Sequence, residues 1–181
     1  MNNQAPASEV SVSPGPHVTI PDHDLLCCVG RGSYGEVWLA RTMMGRYRAV
    51  KIVFKSTFKD PHPFERELEG IRKFEPISRS HEGFVAVLHV GQHEAAGCFY
   101  YVMELGDDAQ TGQDITPANY VPKTLAKEIA IHAKLPFDDC LRLGLTLSSA
   151  LSHLHKYSLI HRDNKPSNVL VSLHGERTVP K

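Results

Sequence analysis

Near the C-terminus, His161-Arg162-Asp163-Asn164-Lys165-Pro166-Ser167-Asn168 lies between two apolar runs. Within these eight residues stand a carboxylate (Asp163), a cation (Lys165) and an amide (Asn168). A carboxylate can accept the proton of an attacking hydroxyl, a lysine can steady a phosphate, and an amide oxygen can ligate Mg²⁺. Phosphoryl transfer asks a protein for these three groups at one point. A short polar turn could match by chance, so the segment is read with the elements that would have to present it. Leu159-Ile160 leads into it, and Val169-Leu170-Val171 leaves it as a strand.

A second chemical cluster lies near the other end. Leu25-Leu26-Cys27-Cys28-Val29 is followed by Gly30-Arg31-Gly32-Ser33-Tyr34-Gly35, a G-x-G-x-x-G. In dinucleotide-binding folds such a turn opens a helix. Here Glu36-Val37-Trp38-Leu39-Ala40 alternates polar and apolar, which predicts a strand, so the glycines join two strands as a hairpin. Glycine suits a backbone that approaches phosphate oxygens closely or needs positive φ, although an ordinary glycine-rich hairpin would read the same way. After the Met43-Met44-Gly45-Arg46 turn, Arg48-Ala49-Val50-Lys51-Ile52-Val53-Phe54 predicts a third strand with a lysine inside it. A lysine there is costly unless its charge finds a partner. The segment from Pro63 to Ile71 opens a helix, with proline and acids in its first turns. Its buried face is marked by Phe64, Leu68 and Ile71. Glu67 and Glu65 on that helix are both candidates for the partner.

The glycine hairpin, Ala49-Val50-Lys51 and the His161–Asn168 loop stand in the order and spacing of a protein-kinase domain. The chain resembles the eukaryotic-like serine/threonine protein kinases from about Asp22 onward, and Lys165, two places after Asp163, favours the Ser/Thr branch. The resemblance implies an α+β, protein-kinase-like fold: a five-stranded antiparallel small lobe with one helix, plus an incomplete, mainly helical large lobe. Phe84–Val90 and Cys98–Leu105 supply the fourth and fifth strands, and Asp107 to Pro122 reads as a linker loop. By the same resemblance Gly30, Gly32, Gly35 and Lys51 hold the phosphates of ATP, and Glu67 matches the family's Arg-Glu-hydrophobic pattern, with Glu65 the alternative. Met103 becomes the gatekeeper, Glu104 to Gly106 the hinge that bonds the adenine edge, and Val29, Val37, Ala49 and Leu170 sandwich the ring. Asp163 would accept the substrate proton, Lys165 steady the transferred phosphoryl, and Asn168 take an Mg²⁺ ion. The implied function is ATP- and Mg²⁺-dependent transfer to a Ser/Thr hydroxyl of a protein substrate. A non-catalytic nucleotide-binding or interaction module is the alternative.

Two positions depart from the family pattern. Arg48 stands where the strand motif has valine, and Asn164 where the catalytic loop usually has Leu or Ile. Turned into the core, an unpaired Asn164 amide would cost ~1–3 kcal/mol. The family would next present Asp-Phe-Gly, an activation loop and further helices, none of which occurs before Lys181. The expectation is therefore a partial catalytic domain, inactive and poorly folded by itself, with Leu143, Leu147, Leu151 and Leu154 of a long helix lacking their partners. The domain reading is a disordered Pro/Ser-rich leader over 1–21, a small lobe with hinge over 22–106, and a partial large lobe over 107–181.

Composition narrows the alternatives. Lys+Arg and Asp+Glu are 20 each, so net charge is zero and no basic excess points to nucleic acid. No apolar run approaches the ~20 residues of a membrane span. Cys27, Cys28, Cys98 and Cys140 form no C-x-x-C and read as reduced cytoplasmic thiols. Among eleven histidines, those at His81-Glu82 and His93-Glu94 begin like a zinc-protease motif. Val85 and Gly97 stand where the second histidine belongs.

Overall fold

In the computed structural model, residues 18–32, 34–172 and 175–178 are described, the last four as backbone only. A five-stranded antiparallel sheet is built from β1 (His23–Gly32), β2 (Gly35–Thr42), β3 (Tyr47–Phe54), β4 (Val87–His93) and β5 (Cys98–Met103), in the order β1-β2-β3-β5-β4. The fourth strand begins at Val87 rather than Phe84, because Phe84, Val85 and Ala86 are buried in the connection that precedes it. β1 and β2 do form the glycine hairpin, with Gly32 opposite Gly35.

Alternation along β3 divides the interior. Val50 and Ile52 face one side of the sheet, with Trp38, Tyr100 and Val102. Ala49 and Val53 face the other, with Phe99, Tyr101 and Met103. Lys51 falls between Ala49 and Val53 and so points the same way as they do.

That second face receives α1 (Pro61–Phe74). The helix starts two residues earlier than the sequence suggests, because Asp60 caps it by accepting from the His62 backbone N–H at 3.0 Å. Phe64, Leu68, Ile71 and Phe74 are its buried residues, a spacing of three or four that keeps them on one stripe. Glu67 is next to that stripe, which aims it at the sheet.

The opposite face is covered from an unexpected source. Val18 and Ile20 are only 6% and 2% exposed and pack with Trp38, Val50, Ile52 and Tyr100. The leader expected through residue 21 therefore gives way to packed chain by Val18, since two apolar side chains find the apolar face of the sheet opposite α1. Residues 1–17 lie outside the described residues.

Beyond β5 the chain forms an irregular stretch, then α2 (Leu125–His132), capped by Thr124, and α3 (Phe137–Lys156). A hairpin of β6 (Val169–Ser172) and β7 (Gly175–Thr178) follows. In α3 the burial differs from expectation. Leu154 and Ala150 are buried in the core shared with α1, and Leu143, Leu147 and Leu151 are half-buried. The outward apolar side chains are instead Phe137, Leu141 and Leu145. Leu154 finds its partners on the sheet side, so it is not among the stranded leucines.

Candidate active site

The 107–122 stretch, read from sequence as a linker, is folded around one carboxylate. Asp108 is 5% exposed. Its Oδ2 accepts from the Val121 N–H at 2.7 Å, and its Oδ1 accepts from the Gln110 N–H at 2.8 Å and the Thr111 N–H at 3.0 Å. The Val121 bond foremost, with the other two, holds its carboxyl down at about 2. The order so produced fixes Tyr120, whose hydroxyl donates to the Gly106 carbonyl at 2.9 Å. Burial, and then the nearby Asp108, push the Tyr120 phenol up. On the other side the Val171 N–H donates to the Lys123 carbonyl at 3.0 Å, tying β6 to the same segment.

Between this segment, the sheet and the catalytic-loop candidate lies a cleft of about 590 Å³. Val29, Gly30, Gly32, Gly35 and Val37 of the glycine hairpin line its roof, with Ala49 and Lys51 of β3. Met103, Glu104 and Gly106 line its rear edge, and Asp163, Lys165, Asn168 and Leu170 its floor. Residues far apart in sequence thus meet in one space. Sequence reasoning did not find Tyr120, Pro122 and Thr124, which also line it. A polar stretch gives no local sign that one buried carboxylate organises it.

At the roof, the glycines are not equivalent. A Cβ on Gly35 would lie 2.2 Å from the Ile52 carbonyl oxygen, so packing of β2 on β3 excludes any side chain. Cβ atoms on Gly30 and Gly32 would meet protein only at 3.9 and 4.0 Å, ordinary contact. Among the described residues no packing contact demands glycine at those two positions, and both border the cleft. A phosphate approached closely by backbone N–H groups is the fit they leave room for.

Lys51 and Glu67 meet at 3.0 Å, Nζ donating to Oε1, with side chains 14% and 9% exposed. Glu67, rather than Glu65, is therefore the partner. Burial works against the Lys51 charge, but Tyr101 and Glu67 outweigh it and hold its pKa above the ordinary lysine range.

On the floor, His161 to Asp163 form a tight turn in which the Asp163 N–H donates to the His161 carbonyl at 2.8 Å. Arg162 at its centre has φ 62°, a left-handed backbone for a residue with a side chain, costing ~1–3 kcal/mol. The turn presents Asp163 with its Oδ2 3.2 Å from Lys165 Nζ. Asn168 Nδ2 donates to the same Oδ2 at 3.0 Å and to the Asp163 carbonyl at 2.9 Å. Both of these bonds use the amide nitrogen of Asn168, not its oxygen. Asn164 is exposed, so its amide is hydrated and the feared penalty does not arise.

The metal side can be tested on the same atoms. Among the described residues no group of three His, Cys, Asp or Glu could hold an ion. An Mg²⁺ site fits here only where phosphate oxygens complete the shell around the Asn168 amide oxygen, the way this ion is usually held. No helix among the described residues is long and apolar enough to cross a membrane.

Comparison with known proteins meets this geometry from another direction. A probable serine/threonine-protein kinase of Clostridium perfringens is 32% identical over 157 residues, covering 84% of this chain and 20% of that protein. Aurora kinase C of Mus musculus is 28% identical over 172 residues, covering 93% of this chain and 55% of that protein. A DNA damage-responsive serine/threonine-protein kinase of Deinococcus radiodurans is 30% identical over 154 residues, covering 82% and 20%. The chain thus spans between a fifth and about half of these relatives, at 20% and 55% of the first two. The model of the protein kinase domain matches residues 24–179, nearly the whole chain. A glycine hairpin over a lysine–glutamate pair and an Asp–Asn loop is the structural form of that match, and this chain belongs to the protein kinase domain family.

Proposed function

We propose that the chain carries the nucleotide cleft and catalytic loop of a serine/threonine protein kinase that transfers the γ-phosphoryl group of ATP to a protein hydroxyl. The observation that carries this reading is the convergence on one cleft of Lys51, paired with Glu67, and Asp163, paired with Lys165 and Asn168. Lys51, fixed by Glu67, grips the nucleotide phosphates. The backbone at Gly30 and Gly32 closes over them. Val29, Val37, Ala49 and Leu170 enclose the adenine, Met103 backs it, and the hinge from Glu104 to Gly106 bonds its edge.

Asp163 then orients the acceptor hydroxyl and takes its proton as the hydroxyl oxygen bonds to phosphorus and the bond to the bridging oxygen breaks. Lys165, already beside the Asp163 carboxylate, is placed to follow the moving negative charge. Asn168 would hold Mg²⁺ through its amide oxygen, and the ion, when bound, offsets phosphate charge. The domain reading goes with this: a small lobe ending at the hinge near Gly106, and large-lobe structure after it. The four cysteines are all free thiols, which supports a reducing, cytoplasmic setting.

Asp163→Asn tests the assignment in the intact protein. Loss of a general base costs ~10²–10⁴ in rate, so phosphoryl transfer to a protein substrate should fall at least that far. ATP affinity should stay near that of the parent, since Asp163 acts on the acceptor. Unchanged turnover in this variant would remove Asp163 from the role.

A further inference from the structure

Glu67 holds the Lys51 ammonium from one side only, through a single oxygen at 3.0 Å. The other neighbour is Tyr101, which stands directly across from Lys51 in the β3–β5 pairing. Its ring is fully buried, at 0% exposure, on the same α1-facing side of the sheet. Lys51 Nζ lies over that ring, 5.5 Å from its centroid, within the range in which the negative face of an aromatic ring attracts a cation. The Tyr101 hydroxyl is buried and makes no well-aligned hydrogen bond among the described residues, although it lies near enough to Lys51 to favour the ammonium. Ring and hydroxyl of this one side chain thus both bear on the ammonium, and replacing tyrosine by phenylalanine separates the two.

We propose that Tyr101 is a positioning residue, whose ring face fixes the Lys51 ammonium between β5 and Glu67 and so keeps it aimed into the cleft. The inference rests on the nucleotide-cleft reading above only for what Lys51 does once placed. A lysine on a four-carbon stem has freedom that one carboxylate oxygen does not remove. A ring beneath the ammonium removes much of that freedom. Burial raises the Tyr101 phenol, so a neutral ring meets the ammonium.

The test grades the ring without changing its shape. Tyr101→Phe is made first, followed by phenylalanines with one, two and three ring fluorines at position 101, each of which weakens the negative face. In the nucleotide-free protein, acylation of each lysine by an amine-reactive anhydride is followed by mass spectrometry, with exposed Lys73 as the internal reference. Tyr101→Phe keeps the Lys51 rate within about twofold of the parent, and the fluorinated series raises it stepwise toward about tenfold, the span open to a desolvated cation–ring contact. A flat series, or a Lys73 rate that climbs in parallel, overturns the proposal. Affinity for Mg²⁺·ATP is measured calorimetrically on the same proteins. A parent that binds no ATP while Lys51 labelling tracks fluorination sinks the nucleotide reading and supports the positioning role. ATP binding with ring-independent labelling does the reverse.

Discussion

Removing either member of the Lys51–Glu67 pair should cost more than removing both. At 3.0 Å, two unit charges attract by about 5 kcal/mol at an effective dielectric near 20. Side-chain exposures of 14% and 9% mean that much of that attraction offsets lost hydration. Deleting one partner leaves the other charge buried without compensation, and such a break costs roughly 3–5 kcal/mol. Glu67→Leu and Lys51→Met are each expected to lose about that much by equilibrium urea unfolding, read by linear extrapolation. Replacing a buried pair by apolar side chains of similar volume is often neutral, so the double variant should recover most of the loss. If the double variant loses less than either single, the interaction energy exceeds one single loss, so it is at least about 3–5 kcal/mol, well beyond the scatter of independent sites. The recovered double variant should still fail to bind ATP, because the phosphates lose their cation. Additive losses, with a double variant as unstable as the sum of the singles, would refute the claim that the two side chains answer each other.

Two further outcomes follow from groups already placed. The Asp108 carboxyl is held at about 2, below its unfolded value near 4, so it contributes stability above that value which is lost as pH falls from about 4 toward 2. Acid unfolding should soften in this window, and Asp108→Ala, which leaves buried N–H donors unpaired at ~1–3 kcal/mol each, should flatten it; an unaltered acid transition in the variant would show that the loop does not depend on this carboxylate. At Gly35 a Cβ would sit 2.2 Å from the Ile52 carbonyl oxygen, so Gly35→Ala must part β2 from β3 and should cost at least the ~1–3 kcal/mol typical of overpacking. A Gly32→Ala partner, with no such clash, should leave thermal unfolding nearly unchanged, and equal losses in the two would discredit the distinction.

Much of the frame was legible because its signals are local and periodic. The apolar stripe Phe64, Leu68, Ile71 faces the core, and the alternation from Glu36 to Ala40 is a strand. The order of the motifs also anticipated which side chains share the cleft, since topology brings the glycine hairpin over the 161–168 loop. What escaped was non-local. Asp108 looks like any loop acid until Gln110, Thr111 and Val121 are seen to donate to it. Val18 and Ile20 are two apolar residues in a polar run, and their burial comes from packing on Trp38, Val50, Ile52 and Tyr100 of the sheet. In α3 the spacing did mark the more buried stripe, Leu143, Leu147, Leu151 and Leu154, with Leu141 and Leu145 exposed. What it could not say is that Leu154 meets the core shared with α1.

The segment at Val18 and Ile20 has a spectroscopic consequence. It covers Trp38, which is 3% exposed and the chain's single tryptophan. Trp38 faces away from α1 and the cleft, and its indole N–H is held by Glu36 Oε2 at 3.0 Å. Intrinsic emission excited at the red edge is therefore a gauge of whether the N-terminal strap is seated on the back of the sheet. Nucleotide occupancy needs a different chromophore, and a tag fused before residue 18 would be sensed by that indole before anything at the front.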